Sequence, residues 1–169
     1  MKKTLIIGYG NRDREDDGAG WHMLNRIARE LGLDTPNLPG DNVISSDGNI
    51  ELLYLYQLLP ELAEDLANYN VVIFMDAHNS SQLPEVVFEP VIAKSLHSAF
   101  THHLLPEELL SISLTICKTV PECWIVSVRG HSFRFTPELT AKTDVSVTHA
   151  IQHVLRLLAS DQERKPSNN

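Results

Sequence analysis

The sequence predicts an α/β protein, a three-layer α/β/α sandwich built on a mostly parallel, twisted sheet of roughly five strands, one of them antiparallel. Two observations support this prediction. Apolar runs typical of buried strands alternate along the chain with segments whose apolar residues recur at helical spacing. The run VVIFMD at 71–76 is unbroken and apolar up to its last residue, as expected of a central strand covered on both faces.

The length of the chain, 169 residues, fits one domain with a sizeable core. We therefore expect a single α/β domain over 1–160. The remaining residues, 161–169, are mostly polar and are expected to form a disordered C-terminal tail.

The first part of the chain is expected to form a strand, a helix and a long loop. The strand covers 3–8 and ends in a glycine-rich turn. The helix covers 18–32, because its apolar residues fall at helical spacing and Gly32 is a natural C-terminal stop. Residues 33–49 are rich in Pro, Gly, Asn, Asp and Ser, which indicates a surface loop with a short extended piece at 43–45.

The middle of the chain is expected to supply three strands and a short helix. Residues 50–57 are rich in aliphatic and aromatic side chains and are predicted to form a strand, and Pro60 is well placed to begin the helix. The central strand at 71–76 follows, and then a strand at 84–92. The link between these two is too short for a helical crossover, so we expect them to run antiparallel. Pro90 indicates an edge position.

The last part of the chain is expected to form a helix from Pro106, a final strand at 123–128 and a closing helix at 143–159. In sheets of this kind, ligands bind outside the carboxyl ends of the strands. This rule selects the loop after the first strand and the end of the strand at 71–76 as the place to look for a functional site.

Composition argues against several classes of function. The formal net charge is −8 without a basic stripe, which disfavours nucleic acid and anionic membranes as partners. No apolar run has the length of a membrane span, and the N-terminal one leads into charges instead of a cleavage site, so we expect a cytoplasmic protein. Cys117 and Cys123, the two cysteines, lack a second pair to complete a zinc site and are expected to stay reduced.

Acidic residues follow both strands that the sheet rule selects. Asp16 and Asp17 precede the first helix, where one Asp is commonly used to cap free backbone N–H groups. One cap needs one Asp, so the second is left for another role. Asp76 ends the central strand, where it is either a loop or cap hydrogen-bond acceptor or a functional carboxylate.

A tandem histidine pair, His102 and His103, precedes the helix that begins at Pro106. Two carboxylates and one imidazole form a sensible site for a divalent transition ion with positions open for water or substrate. Two other histidines, His149 and His153, have the spacing of a metal pair on one helical face. They lie opposite the apolar face of the closing helix, so we expect them on the solvated surface.

Four stretches of the sequence, in order, resemble the [NiFe]-hydrogenase maturation proteases. Residues 8–20, GYGNRDREDDGAG, fit the opening pattern G-x-G-N-x-x-R-x-D-D-G-x-G. Residues 57–63, QLLPELA, are similar to a Q-L-x-P-E-L-A segment, and 72–77, VIFMDA, to a strand ending in Asp-Ala. Residues 102–110, HHLLPEELL, are similar to H-x-L-x-P-x-E-L-L. With a fainter later segment, the resemblance spans about 4–145.

The resemblance implies a cytoplasmic endopeptidase that removes the C-terminal extension from a [NiFe]-hydrogenase large-subunit precursor. It implies that nickel arrives bound to the precursor and serves as the recognition signal, and other divalent metals are also expected to fit the site. Asp17, Asp76 and His102 would be both the metal-gripping and the catalytic residues, and the register of the motif selects His102 over His103.

Two departures from the family pattern concern substrate choice. Glu15 stands where a Gly is usual, which is expected to add a negative charge beside the site, and Thr136 stands where the later segment favours Gly. An alternative function is a non-enzymatic chaperone that binds nickel or the precursor on the same scaffold. A nucleotide-binding domain is disfavoured, because Asp13 occupies the third glycine position of G-x-G-x-x-G.

Overall fold

Helices cover both faces of a six-stranded sheet in the computed structural model, which describes residues 2–94 and 103–163, with 161–163 as backbone only. The strands are β1 (Thr4–Tyr9), β2 (Asn42–Ile44), β3 (Ile50–Leu55), β4 (Val71–His78), β5 (Val86–Pro90) and β6 (Glu122–Arg129). The helices are α1 (Ala19–Glu30), α2 (Leu62–Asp65), α3 (Pro106–Cys117) and α4 (Ala141–Glu163), with 3-10 turns at Glu15–Gly18 and Leu66–Asn68.

The order of strands across the sheet is β2-β3-β1-β4-β6-β5. The four inner strands run parallel, whereas β2 pairs antiparallel with β3 and β5 pairs antiparallel with β6. The predicted fold class, a mostly parallel sheet between helical layers, is confirmed. The sheet has six strands, two of them antiparallel, against the predicted five with one antiparallel, because the short extended piece after the first helix pairs antiparallel with β3 at that edge.

The strand predicted at 84–92 is β5. It runs antiparallel and lies at an edge, but it pairs with β6 rather than β4. The reason is that β6 pairs with β4 along the full length of both strands, from Val71 opposite Glu122 to His78 opposite Arg129. This pairing fills the side of β4 that faces away from β1, so β5 takes the next position outward.

Alternating side chains of the inner strands supply two separate apolar layers. Ile6 and Ile73 belong to the core beneath α1 and α4, and Ile7 and Phe74 belong to the core beneath α2 and α3. All four side chains are fully buried. The unbroken apolar run of β4 is thus explained, because a strand between two helical layers must bury both of its faces.

Close packing of α1 against two strands sets the position of the acidic turn that precedes it. A Cβ atom at Gly20 would lie 2.3 Å from the carbonyl oxygen of Tyr9 and 2.5 Å from that of Met75, so only a glycine fits there. The first turn of α1 therefore lies directly against the carboxyl ends of β1 and β4. The residues just before the helix, including Asp17, are held over the same edge.

None of the helices within 2–94 and 103–163 combines the length and the apolar character that a membrane crossing requires. Helix α4 continues to Glu163, past the predicted end at 159. The last part of the predicted tail, 164–169, lies outside the described residues, so the proposed division into a domain and a tail stays a prediction.

Candidate functional site

Asp16, the first member of the acidic pair, anchors a distant loop. Its carboxylate is fully buried and accepts hydrogen bonds from the backbone N–H groups of His131 (2.7 Å), Ser132 (3.1 Å) and Thr140 (2.8 Å), and from the Thr140 hydroxyl (2.9 Å). Burial opposes the ionisation of Asp16, but these hydrogen bonds outweigh it and lower the pKa of the carboxyl. Asp16 is thus the structural member of the pair, although it anchors the 130–140 loop instead of capping α1.

Asp17, the second member, is the one that faces a cleft at the carboxyl edge of the sheet. It is half-buried, and its Oδ2 atom accepts a hydrogen bond from the backbone N–H of Asn11 at 3.1 Å. The expectation that one acid of the pair has a structural duty and the other is available for a site agrees with this arrangement.

Asp76 lies near the end of β4 and lines the same cleft. Its Oδ1 atom accepts a hydrogen bond from the backbone N–H of Ala77 at 2.7 Å, and its carboxylate also accepts one from the Tyr9 hydroxyl. Burial first, and then the negative charge of Asp17, raise the pKa of Asp76 from 3.8 to about 7. Burial and the neighbouring Asp76 also raise the pKa of Tyr9. A carboxylate pair that resists double ionisation is a favourable place for a cation.

The cleft has a volume of about 330 Å³. Besides the two aspartates it is lined by polar, aromatic and aliphatic residues, namely Tyr9, Gly10, Arg14, Tyr56, Gln57, Leu58, Ala77, His103, Leu104 and Leu105. Polar and apolar surface line the cleft about equally, so it offers both apolar contacts and charged groups to a ligand.

The third predicted ligand, His102, lies outside the described residues, whereas its neighbour His103 lines the cleft. The structure therefore brings Asp17 and Asp76 together, and the choice of His102 over His103 stays a prediction. Within 2–94 and 103–163, no three His, Cys, Asp or Glu side chains are grouped closely enough to hold a metal ion.

Gly10 makes the approach of the two loops possible. Its φ angle is +118°, a conformation that other residues rarely adopt, and a Cβ atom there would lie 2.1 Å from the carbonyl oxygen of Asp17. The same Cβ atom would lie 3.8 Å from the Oδ1 atom of Asp76. The second glycine of the opening motif is therefore required for the turn that carries one aspartate to lie beside the other.

The two departures from the family pattern contact each other. The backbone N–H of Glu15 donates to the carbonyl oxygen of Thr136 at 2.7 Å. The side chain of Glu15 is 4% exposed, and its two carboxylate oxygens accept hydrogen bonds from the backbone and the guanidinium of Arg134. Hydrogen bonds from Arg134 and Ser132 lower the pKa of Glu15 to about 2.

Glu15 thus carries the expected negative charge, but Arg134 pairs with it, and Glu15 does not line the cleft that contains Asp17 and Asp76. Glu15 has a φ angle of 46°, a left-handed conformation that explains why glycine suits this position in the family pattern.

Sequence reasoning gave no role to Arg14 or Tyr9, although both lie within the opening motif. Arg14 is the single lysine or arginine side chain among the described residues that line the cleft. Its Nε atom donates to the carbonyl oxygen of Phe133 at 3.3 Å, and its guanidinium lies 6.0 Å from the centre of the Phe133 ring. The position of Arg14 after the Gly-x-Gly-Asn turn was the available signal, since a cation there must lie near the acidic pair.

Two further histidines near the sheet edge have other partners. The Nδ1 atom of His78 lies 2.9 Å from the hydroxyl of Ser127, and the Nε2 atom of His131 lies 2.9 Å from a carboxylate oxygen of Glu85. Neither histidine lines the cleft that Asp17 shares with its partner aspartate.

The remaining candidates from the sequence have structural surroundings. His149 is exposed, as expected, but His153 is half-buried and stacks on Phe88 with 5.0 Å between ring centres, so the expected solvated surface is wrong for this residue. The stack exists because β5 is an edge strand that α4 covers. Cys117 and Cys123 are free thiols.

No family model and no curated protein matches the sequence. Solved structures do match it. The hydrogenase maturating endopeptidase HybD from E. coli is 19% identical with a TM-score of 0.69, and the match covers 94% of this chain and 93% of that one. The [NiFe] hydrogenase maturation protease HybD from Thermococcus kodakarensis is 18% identical with a TM-score of 0.61, and the match covers 92% of this chain and 98% of that one.

A second protein from Thermococcus kodakarensis, the [NiFe] hydrogenase maturation protease HycI, is 16% identical with a TM-score of 0.63, and the match covers 94% of this chain and 93% of that one. The similarity thus extends over nearly the whole length of each structure. The chain has the fold of these maturation proteases, which confirms the resemblance in the sequence motifs at the level of the fold.

Proposed function

We propose that this protein is a cytoplasmic endopeptidase that cleaves the C-terminal extension from a nickel-loaded [NiFe]-hydrogenase large-subunit precursor. The observation that supports the proposal most is the pairing of Asp17 with Asp76 in one cleft at the carboxyl edge of the sheet. Both aspartates stand at the motif positions that the family resemblance selected. Three structures with this fold are named hydrogenase maturation endopeptidases or proteases.

The charges in the cleft are suited to a divalent cation. Asp76 is enclosed beside a second carboxylate, and its pKa of about 7 reflects first the free-energy cost of burying a negative charge and then the repulsion from Asp17. A cation between the two carboxylates would relieve that cost. Oxygen ligands from Asp17 and Asp76 with an imidazole nitrogen from His102 are compatible with nickel and with other divalent transition ions.

In this proposal nickel is part of the substrate, and a bound ion supplies positive charge that can polarise a peptide carbonyl or a water molecule. The chain itself holds the two carboxylates in position, Asp17 through the N–H of Asn11 and Asp76 through the Tyr9 hydroxyl. Arg14 offers guanidinium N–H donors to substrate carbonyl or carboxylate groups beside the two aspartates.

The test uses a nickel-loaded large-subunit precursor from the same organism. We expect the parent protein to remove the C-terminal extension, seen by intact mass, and Asp17→Asn to lose at least about a hundredfold in rate because a ligand is gone. Asp13→Asn is the matched control, since Asp13 is an exposed acid of the same loop that does not line the cleft. Cleavage by Asp17→Asn at the parent rate would show that the assigned site is wrong.

A pair of histidine variants tests the predicted third ligand. His102→Ala is expected to lose cleavage and His103→Ala to keep most of it, and the reverse result would move the assignment to His103. If the parent binds the nickel-loaded precursor but releases no fragment under any of these conditions, the chaperone function replaces the peptidase function.

A further inference from the structure

The 130–140 loop lies at the same edge of the sheet as the cleft, because it follows the carboxyl end of β6. Two buried carboxylates fix its backbone. The carboxylate of Asp16 accepts hydrogen bonds from the backbone N–H groups of residues 131, 132 and 140. The carboxylate of Glu15 accepts hydrogen bonds from the backbone N–H and the guanidinium of Arg134. The loop is therefore held in one conformation by groups that belong to the turn carrying Asp17.

This fixed loop presents an aromatic side chain to solvent. Phe135 is 89% exposed, more than any other large apolar side chain among the described residues. Hydrogen bonds with Glu15 hold the backbone on both sides of Phe135. The N–H of Arg134 donates to the Glu15 carboxylate, and the carbonyl oxygen of Thr136 accepts from the Glu15 N–H. Because the backbone is already fixed, covering Phe135 would cost little backbone freedom, and an aromatic side chain of this kind is suited to anchor an interface.

The surface is continuous from the cleft to the loop. Arg14 lines the cleft, and its guanidinium contacts Phe133 two residues before the exposed ring. The Arg134 side chain, 79% exposed, lies immediately beside the ring in the chain. A partner that reaches from the cleft to the loop thus meets two guanidinium groups and then an aromatic ring.

The cleft alone is too small to hold a folded partner. Its volume of about 330 Å³ is that of a site for a small ligand or a short peptide segment. A stable complex between two proteins typically buries about 800 Å² on each side, so a protein substrate needs contacts outside the cleft.

We infer that the 130–140 loop is a second contact surface for the folded large-subunit precursor, with Phe135 inserted into an apolar pocket of the precursor while the cleft receives the segment to be cut. This inference rests on the proposed function and adds to it how the substrate is recognised. Continuity with the cleft through Arg14 favours the substrate over an unrelated partner.

The test compares Phe135→Ala with the parent in binding to the nickel-loaded precursor, measured by biolayer interferometry, and in cleavage. We expect the Kd to rise about 30-fold, the change typical of truncating an interface anchor. KM is expected to rise in parallel, with kcat at saturating precursor unchanged. Phe135→Leu keeps an apolar side chain and should restore a large part of the affinity.

Ile116→Ala is the matched control. Ile116 is also an exposed apolar residue, 57% accessible, but it lies near the end of α3 just before β6 begins, at the opposite edge of the sheet. We expect its Kd and KM to equal those of the parent.

Three results would overturn the inference. One is a Kd for Phe135→Ala within about twofold of the parent value, which is less than the change that marks an anchor. Another is self-association of the parent protein, measured by sedimentation, that disappears in Phe135→Ala. This would show that the Phe135 ring contacts a second copy of the chain. The third is an equal loss in Ile116→Ala. Binding and cleavage are measured separately. If the parent binds the precursor but does not cleave it, the peptidase proposal fails, and the Kd values still test the role of Phe135.

Discussion

Replacing Asp76 with Asn is expected to stabilise the metal-free protein at neutral pH. In the folded state the pKa of Asp76 is raised from 3.8 to about 7 by burial and by the charge of Asp17. Between these two values the unfolded chain has released the proton while the folded protein still holds it, so stability falls as the pH rises from about 4 to about 7. The asparagine side chain carries no charge and avoids this loss.

The magnitude follows from the size of the shift. A change of roughly three pKa units corresponds to about 4 kcal/mol of folding free energy above pH 7. Asparagine can keep the hydrogen bond from the Ala77 N–H, but we expect it to weaken the one from the Tyr9 hydroxyl at a cost of about 1 kcal/mol. The expected net gain is about 3 kcal/mol above pH 7, falling to zero or below near pH 4.

The assay is urea unfolding followed by circular dichroism with a chelator present, at several pH values between about 4 and 8, with free energies from linear extrapolation. The informative quantity is the difference between variant and parent as a function of pH. Asp13→Asn, which changes an exposed acid outside the cleft, is the control and should show only a small difference. A pH-independent difference for Asp76→Asn, or a less stable variant at neutral pH, would refute the reasoning.

Two further predictions concern the turn that carries the acidic pair. The pKa of Glu15 is lowered from 4.5 to about 2 by its hydrogen bonds with Arg134, so Glu15 contributes stability above pH 4.5 that is lost as the pH falls toward 2. Glu15→Gln should therefore lower the free energy of unfolding at neutral pH and make it fall less steeply between pH 4.5 and 2. The denaturant midpoint of unfolding, measured at several acid pH values, tests this. The same pH slope in variant and parent would contradict the pairing of Glu15 with Arg134. Gly10→Ala should abolish cleavage and destabilise the fold by about 2 kcal/mol or more, because its Cβ atom would lie 2.1 Å from the Asp17 carbonyl oxygen at a strained φ. Gly40→Ala is the control, because Gly40 also has a positive φ but a Cβ atom there would have no neighbour within 4 Å. We expect it to cost about 1 kcal/mol of stability and to leave cleavage unchanged. An equal loss of cleavage in both variants would refute the role of Gly10.

The sequence was sufficient for the fold class and for the expectation that Asp17 and Asp76 lie at one edge of the sheet. The unbroken apolar run of β4 predicted a strand covered on both faces, and the rule for parallel sheets placed Asp17 and Asp76 at the edge where the structure has them in one cleft. Both conclusions depend on local patterns and general rules of connection, which a single sequence contains.

The sequence was not sufficient for roles that depend on distant partners. It showed two adjacent acids but not that Asp16 is the anchor, since the hydrogen-bond donors of Asp16 lie 115 to 124 residues further along the chain. For the same reason the charge of Glu15 appeared unbalanced, because Arg134 lies 119 residues away. The position of β5 beside β6 likewise depends on a strand that follows it in the chain.

The adjacency of Asp16 and Asp17 has a mechanical consequence. One short turn holds the 130–140 loop by its first aspartate and presents a carboxylate to the cleft by its second. A movement of the loop that shifts Asp16 therefore also shifts Asp17, because the two residues are adjacent in the chain. If a partner on the loop and an ion in the cleft both bind more tightly in the same position of this turn, each raises the affinity of the other by the same factor. The turn would then couple binding at the 130–140 loop to the binding of an ion in the cleft.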